Sequence, residues 1–174
     1  MSRAFLKNES ADDPVVIPAR APLPPGIANY VTPQGLLLLR TELDELEIEH
    51  AQAQTNEYDD SERTRLLALL NGRIAALNQR IATAKVVDIH GHPQDEVRFG
   101  ATISLRSRNA KVENADRQLT IVGVDEANAT HGRIAFTAPI ARLVLGKHVG
   151  DLISLRTLQG ENVMEITAIS YGEY

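Results

Sequence analysis

The chain has 174 residues, 43% of them hydrophobic and 24% charged, with a formal net charge of -5 and neither cysteine nor tryptophan. That length suits one ordinary domain, or a small domain with an extended appendage. The acidic balance argues against gripping duplex nucleic acid by its phosphates, the lack of cysteine excludes disulfides and zinc-thiolate sites, and no apolar stretch approaches bilayer length.

Residues 1–29 carry Pro14, Pro18, Pro22, Pro24 and Pro25 behind a polar stretch with Asn8, Glu9, Ser10, Asp12 and Asp13, which reads as an extended leader. Val15, Val16 and Ile17 would be its partner-binding apolar segment, if it has one. Thr32 followed by Pro33 starts a helix, because the threonine hydroxyl caps an orphan amide and proline supplies helical φ where no N–H is needed. Leu36, Leu39, Leu43, Leu46, His50 and Ala53 then recur at alternating steps of three and four. Leu66 or Leu67, Leu70, Ile74, Leu77, Ile81 and Ala84 repeat that spacing, which is the seam of an antiparallel coiled-coil hairpin over residues 30–88.

The two arms meet at the acidic run Glu57-Tyr58-Asp59-Asp60-Ser61-Glu62, where Asp60 or Ser61 is expected to cap a second helix reaching about Lys85. The first arm is acidic (Glu42, Asp44, Glu45, Glu47, Glu49) and the second basic (Arg63, Arg65, Arg73, Arg80, Lys85), which favours their pairing. Gly72 weakens the second arm by up to about 1 kcal/mol relative to alanine. Residues 89–95, with His90, Gly91, His92 and Pro93, read as a linker.

From residue 96 onward the period changes. Segments 97–106, 118–124, 132–137, 152–158 and 162–171 alternate apolar with polar residues, as half-buried antiparallel strands do. Between the third and fourth, Pro139 opens a short apolar helix that ends at Gly146. The fold class expected is α+β, a helical hairpin followed by a small sheet domain over residues 96–174.

The chemistry on offer is sparse. Asp59 and Glu62 lie three residues apart at the bend, so a turn entering a helix places both carboxylates on one side, with Asp60 beside them. Two carboxylates make a poor magnesium site alone and a good complement to an ion held by another molecule. His50 lies on the seam and reads as a packed ring, while His90 and His92 lack a third ligand at useful spacing. Gly146 to Gly150 lacks the lysine and hydroxyl arrangement of a phosphate-binding loop. Arg106, Arg108, Lys111 and Arg117 cluster around the first loop of the sheet domain as a solvated rim, or as a dock for an acidic partner.

The segment Thr137-Ala138-Pro139-Ile140-Ala141-Arg142-Leu143-Val144-Leu145-Gly146-Lys147-His148-Val149-Gly150-Asp151 resembles the signature of the bacterial Gre transcription factors, the GreA/GreB family. Tyr30-Val31-Thr32-Pro33-Gln34-Gly35, Lys85-Val86-Val87-Asp88, Phe99-Gly100-Ala101, Ile121-Val122-Gly123 and Ile166-Thr167-Ala168-Ile169-Ser170-Tyr171 match in the same order, and the leader looks like that of longer GreB-like members. The resemblance implies a coiled-coil hairpin and a C-terminal FKBP-like antiparallel sheet domain in a cytoplasmic protein. It implies that the sheet domain docks on RNA polymerase while the hairpin enters the secondary channel. Tip carboxylates there help hold a Mg²⁺ of the polymerase and promote cleavage of backtracked RNA. Asp59 and Glu62 match the tip motif, with Asp60 in reserve; Tyr58 stands for the family's glycine and Arg63 for its asparagine. The docking segment carries over to Pro139, Ile140, Ala141, Leu145, Gly146, Gly150 and Asp151. Such a factor has no cofactor of its own, is not itself an enzyme, touches the nascent RNA 3′ end only within the complex, and binds neither membrane nor DNA independently. Each arm is about one heptad, roughly 10 Å, shorter than the family's pattern. The alternative reading is therefore a channel-binding regulator that does not cleave. Prolyl isomerisation, suggested by the fold alone, is disfavoured because the only phenylalanines are Phe5, Phe99 and Phe136.

Overall fold

The computed structural model describes residues 15–16, 20, 22–57, 59–108, 116–157 and 160–172. Most of the leader, together with Tyr58 and Lys111, lies outside the described residues, as does Ile17. Among the described residues no helix is long and apolar enough to cross a membrane.

Two helices of 23 residues each form the hairpin, α1 (Pro33–Thr55) and α2 (Asp60–Ala82). Thr32 caps α1 as expected, its hydroxyl oxygen accepting from the Gly35 amide at 2.8 Å. Along the seam, Leu39, Leu46 and Ala53 are buried on one arm and Leu70 and Leu77 on the other. These fully buried positions repeat every seven residues, and Leu36, Leu43, Leu66, Leu67, Ile74, Ile81 and Ala84 flank them half-buried. That is the packing of an antiparallel helix pair with one tight position per heptad.

Two helix boundaries differ from the sequence reading. The cap of α2 is Asp59, ahead of both Asp60 and Ser61, since its carboxylate accepts from the Ser61 amide at 3.2 Å. The helix stops at Ala82, short of Lys85, because residues 84–86 are recruited as a strand. Strand β2 (Ala84–Val86) pairs in parallel with β1 (Asn29–Val31), Tyr30 opposite Lys85. Periodicity could not reveal this pair, because three residues are too short to show a period and the two strands are far apart in sequence. Asn29 secures the closure by donating its side-chain amide to the Arg80 carbonyl at 2.9 Å.

The sheet domain comprises β3 (Thr102–Ser107), β4 (Arg117–Val122), β5 (Arg133–Ala135), the short helix α3 (Pro139–Val144), β6 (Leu152–Thr157) and β7 (Gly160–Ser170). Its spatial order is β5-β4-β3-β7-β6. The antiparallel expectation holds except at one edge, where β5 runs parallel to β4, so the sheet is mixed. The reason lies in the connection: after Gly123 the chain turns, then re-enters through a 3-10 turn at Ala129–His131, which brings β5 alongside β4 in the same direction. The first strand starts at Thr102, later than expected, because Gly100 at φ +85° bends the chain and its amide donates to the Ile121 carbonyl. A bulge also interrupts the β3–β7 ladder, where Thr167 falls between the residues opposite Ser104 and Leu105. It moves the inward phase of β7 from Met164 and Ile166 to Ile169 and Tyr171. The core is Val97, Ala101, Ile103, Leu105, Ile121, Ala141, Val144, Ile153, Met164 and Ile166.

The segment 89–95 is not bare. Ile89 is buried over Gly100, where an added Cβ would meet its Cγ2 at 2.5 Å, and the His92 ring stands edge-on to Tyr171.

Candidate functional site

The tip of the hairpin is built by helix-end chemistry. The last turn of α1 closes with the Asn56 amide on the Gln52 carbonyl, and α2 begins one residue past Asp59. Asp60 and Glu62 lie in the first turn of α2, where orphan amides and the helix dipole favour negative charge. Glu57, Asp59, Asp60 and Glu62 are all exposed. Arg63 reaches across the bend, donating from Nη1 to Asp60 Oδ1 at 3.0 Å and from Nη2 to the Asn56 carbonyl at 3.2 Å. The tip carboxylates are thus unequal. Asp60 is engaged by a cation, Asp59 spends one oxygen on its own helix, and among the described residues no side-chain hydrogen bond or ion pair engages Glu62.

Among the described residues no group of three or more histidine, aspartate or glutamate side chains converges to hold a metal ion. The donors at the tip are hard carboxylate oxygens, the type Mg²⁺ takes, in too small a number to close a shell. They fit as an addition to an ion held by another molecule. The histidines do not compete for that role. His50 is half-buried in the seam, and His90 is engaged through its backbone amide by Asp88.

At the other end of the rod, the base is fixed to the sheet domain by the turn after β4. Gly123 allows the closest approach, since a Cβ there would lie 2.8 Å from the Tyr30 carbonyl oxygen. The rings of Tyr30, Phe99 and Phe136 pack mutually, with centroids 5.7 to 6.1 Å apart. Glu126 is buried against the first turn of α1, where it accepts a hydrogen bond from the Thr32 hydroxyl, and Gly35 leaves room for it. Asp125 lies beside it and pairs with Arg80 of α2 at 3.2 Å. None of these partners was evident from sequence.

Burial pushes the Glu126 carboxyl above its ordinary value of 4.5, against the opposing pull of the Thr32 hydroxyl and of Arg133 at 3.8 Å. A carboxyl held higher in the folded than in the unfolded chain favours folding most below its unfolded value. That contribution is lost as pH rises through the raised folded value. Stability should therefore decline from about pH 4.5 upward through the Glu126 titration, and Glu126→Gln should flatten the decline in urea melts taken across that range.

The signature segment around α3 divides into packing and surface. Ala141 and Val144 are completely buried, and Ile140 and Leu145 pack half-buried against the core. Pro139, Gly146 and Gly150 are exposed; both glycines adopt positive φ, +77° and +92°, which alanine would strain. Asp151 closes the intervening turn by accepting from the His148 amide at 2.8 Å. Of the docking residues read from sequence, Ala141 is thus part of the core and acts by seating the helix. Sequence reading missed Leu143, Val149 and Leu152, apolar side chains that are 42%, 53% and 54% exposed around the same turn. At Leu152 the signal was present, an aliphatic where the β6 alternation calls for a polar residue; Leu143 in α3 and Val149 in the turn carried no such signal. The basic rim is partly neutralised, Arg106 by Asp116 and Arg108 by Glu165.

Residues 92–171 match the family described as "Transcription elongation factor, GreA/GreB, C-term". A transcription elongation factor GreA from Rhodospirillum rubrum is 33% identical over 157 residues, covering 82% of this chain and 97% of that protein. The GreA of Anaeromyxobacter sp. (strain K) is 41% identical over 106 residues, which are 60% of this chain and 61% of that protein. That of Phenylobacterium zucineum is 35% identical over 102 residues, 59% and 63% of the two chains. In these shorter alignments the chain spans just under two thirds of each relative's length. Among solved structures, a GreA/GreB factor from Nitrosomonas europaea aligns with 82% of this chain and 98% of its own, at 20% identity and a TM-score of 0.41. The GreA factor homolog from Thermus thermophilus aligns with 83% and 99%, at 22% identity and a TM-score of 0.38.

Proposed function

Because the chain belongs to the GreA/GreB family, we propose that it is a transcription elongation factor that binds RNA polymerase, inserts its hairpin into the secondary channel and stimulates cleavage of backtracked RNA. The observation that carries this reading is the rod itself: two packed helices, each about 34 Å long at 1.5 Å per residue, with exposed carboxylates at one end and a sheet domain at the other. A rod of that shape delivers charge into a passage too narrow for the domain behind it.

In the complex, Asp59 and Glu62 would hold a Mg²⁺ together with ligands from the polymerase. The ion, when bound, activates water for attack on the phosphodiester and offsets charge in the transition state. The factor's own part is positional. Helix capping fixes Asp59 at the bend, Glu62 follows in the first turn of α2, and Arg63 holds the two arms together while occupying Asp60. The exposed Leu143, Val149 and Leu152, with Pro139, form the apolar surface suited to docking on the polymerase outside the channel. The factor thus acts through the endonuclease activity of the polymerase.

The test is to add the purified factor, with Mg²⁺, to backtracked elongation complexes, following binding and transcript length separately. Binding with shortening of the RNA is expected. Binding with full-length RNA would remove the cleavage assignment and leave the non-cleaving channel regulator in its place.

A further inference from the structure

We propose that Arg20 and residues 22–28 act as a strap that sets the angle of the hairpin on the sheet domain. Arg20 donates from Nη1 to Glu42 Oε2 on α1 at 3.2 Å, and its Nε lies 3.5 Å from Asp125 Oδ1 in the turn after β4. The other oxygen of Asp125 faces Arg80 of α2. Glu42, Arg20, Asp125 and Arg80 therefore form one alternating chain of charge that joins Arg20, both arms of the hairpin and the sheet domain. Three of the four are well shielded, with side chains 21% exposed at Arg20, 13% at Asp125 and 9% at Arg80, so these pairs are screened less than surface ones.

The strap is anchored at its far end as well. Pro24 accepts from the Ile27 amide to form a turn, and the chain then enters β1, where Asn29 donates to the Arg80 carbonyl in the last turn of α2. Between those anchors, Leu23, Ile27 and Ala28 face Ala76, Gln79 and Thr83 across an open groove of about 630 Å³. A strap that stands off α2 in this way gains little from apolar packing there. Its hold depends on the ionic fastening at Arg20, which makes it sensitive to loss of that side chain and, through Glu42 at 39% exposure, to high salt.

Leverage makes the angle matter. Over a rod of about 34 Å, a rotation of about ten degrees at the base moves the tip by roughly 6 Å, well beyond the length of a metal–oxygen bond. The consequence for RNA cleavage rests on the function proposed above; the strap itself does not.

The chain has no native cysteine, so spin labels can be placed uniquely at Gln54→Cys near the tip and Arg142→Cys on α3. Electron–electron distance measurements on the free factor should give a narrow distribution for the parent and for Arg20→Lys. Arg20→Ala should widen it by roughly the 6 Å of that lever arm, and so should high salt on the parent. A distribution unchanged by both Arg20→Ala and salt would overturn the strap. Should Arg20→Ala fail to fold, the salt titration of the parent decides alone. Since no polymerase is present, a negative result here leaves the cleavage assignment untouched, and absence of cleavage leaves the strap untouched.

Discussion

Asp59→Asn combined with Glu62→Gln should abolish factor-stimulated shortening of backtracked RNA while leaving the affinity for polymerase unchanged. The isosteric pair is chosen because of what Asp59 does locally. Its carboxylate caps α2, and alanine there would cost about 1 kcal/mol of helix stability, confounding charge with structure. Asparagine caps equally well and removes only the charge. Among the described residues no side-chain bond engages Glu62, so glutamine changes its charge and little else. Both groups would serve as ligands to an ion held mainly by the polymerase, and amide oxygens without charge replace them poorly, so the pair together should bring the rate to that of polymerase alone. Asp60→Asn should fall well short of this, because Arg63 already engages that carboxylate. Transcript length on a denaturing gel gives the rate, and retention of the factor on immobilised elongation complexes gives the binding. Equal loss in the Asp60 variant and the double variant would mean that the tip acts through bulk charge, without a specific pair of ligands.

Much of this architecture was legible in the sequence because it is periodic. Every seam position read from the leucine spacing is buried or half-buried in the hairpin, and the Thr32-Pro33 start of α1 stands as read. The five strands of the sheet domain were legible for the same reason. What escaped was non-local. The β1–β2 pair joins residues more than fifty positions apart through only three residues a side, and the parallel setting of β5 depends on where the turn after Gly123 leads. The slip of phase at Thr167 is visible in retrospect, since Met164 and Ile166 lie two apart and Ile169 then breaks the count. At the tip, carboxylate identity was legible, but the ranking among them was not. Arg63 reads as one cation of a basic arm until the bend sets it against Asp60 and the Asn56 carbonyl. Likewise Glu126 and Asp125 acquire their roles only from a close approach that Gly123 permits.

Leu70→Ala should cost the hairpin about 2–5 kcal/mol, the largest loss of stability expected from any single seam truncation. Leu70 is the most deeply buried residue of the seam, with no exposed surface, and it lies seven residues from Leu77 in the same tight register. A cavity there cannot collapse easily, because the backbone on both sides is held by helical hydrogen bonds and by the neighbouring heptads. Leu67, half-buried beside it, should cost markedly less when truncated. The hairpin and the sheet domain have separate buried clusters, joined through the aromatic group and the polar contacts at the base. A loss of that size in one cluster, set against a typical total of 5–15 kcal/mol for a whole domain, should uncouple the two. Thermal melting followed by circular dichroism at helical wavelengths should split into two steps, the hairpin first, with amide exchange rising along α1 and α2 before β3 and β7. Such a variant should also fail to stimulate cleavage near the temperature of its first step while still binding polymerase through the surface around Leu143, Val149 and Leu152. A single cooperative transition shifted as a whole would instead mean that the contacts at Gly123, Thr32 and Asp125 couple rod and domain tightly enough to unfold as one.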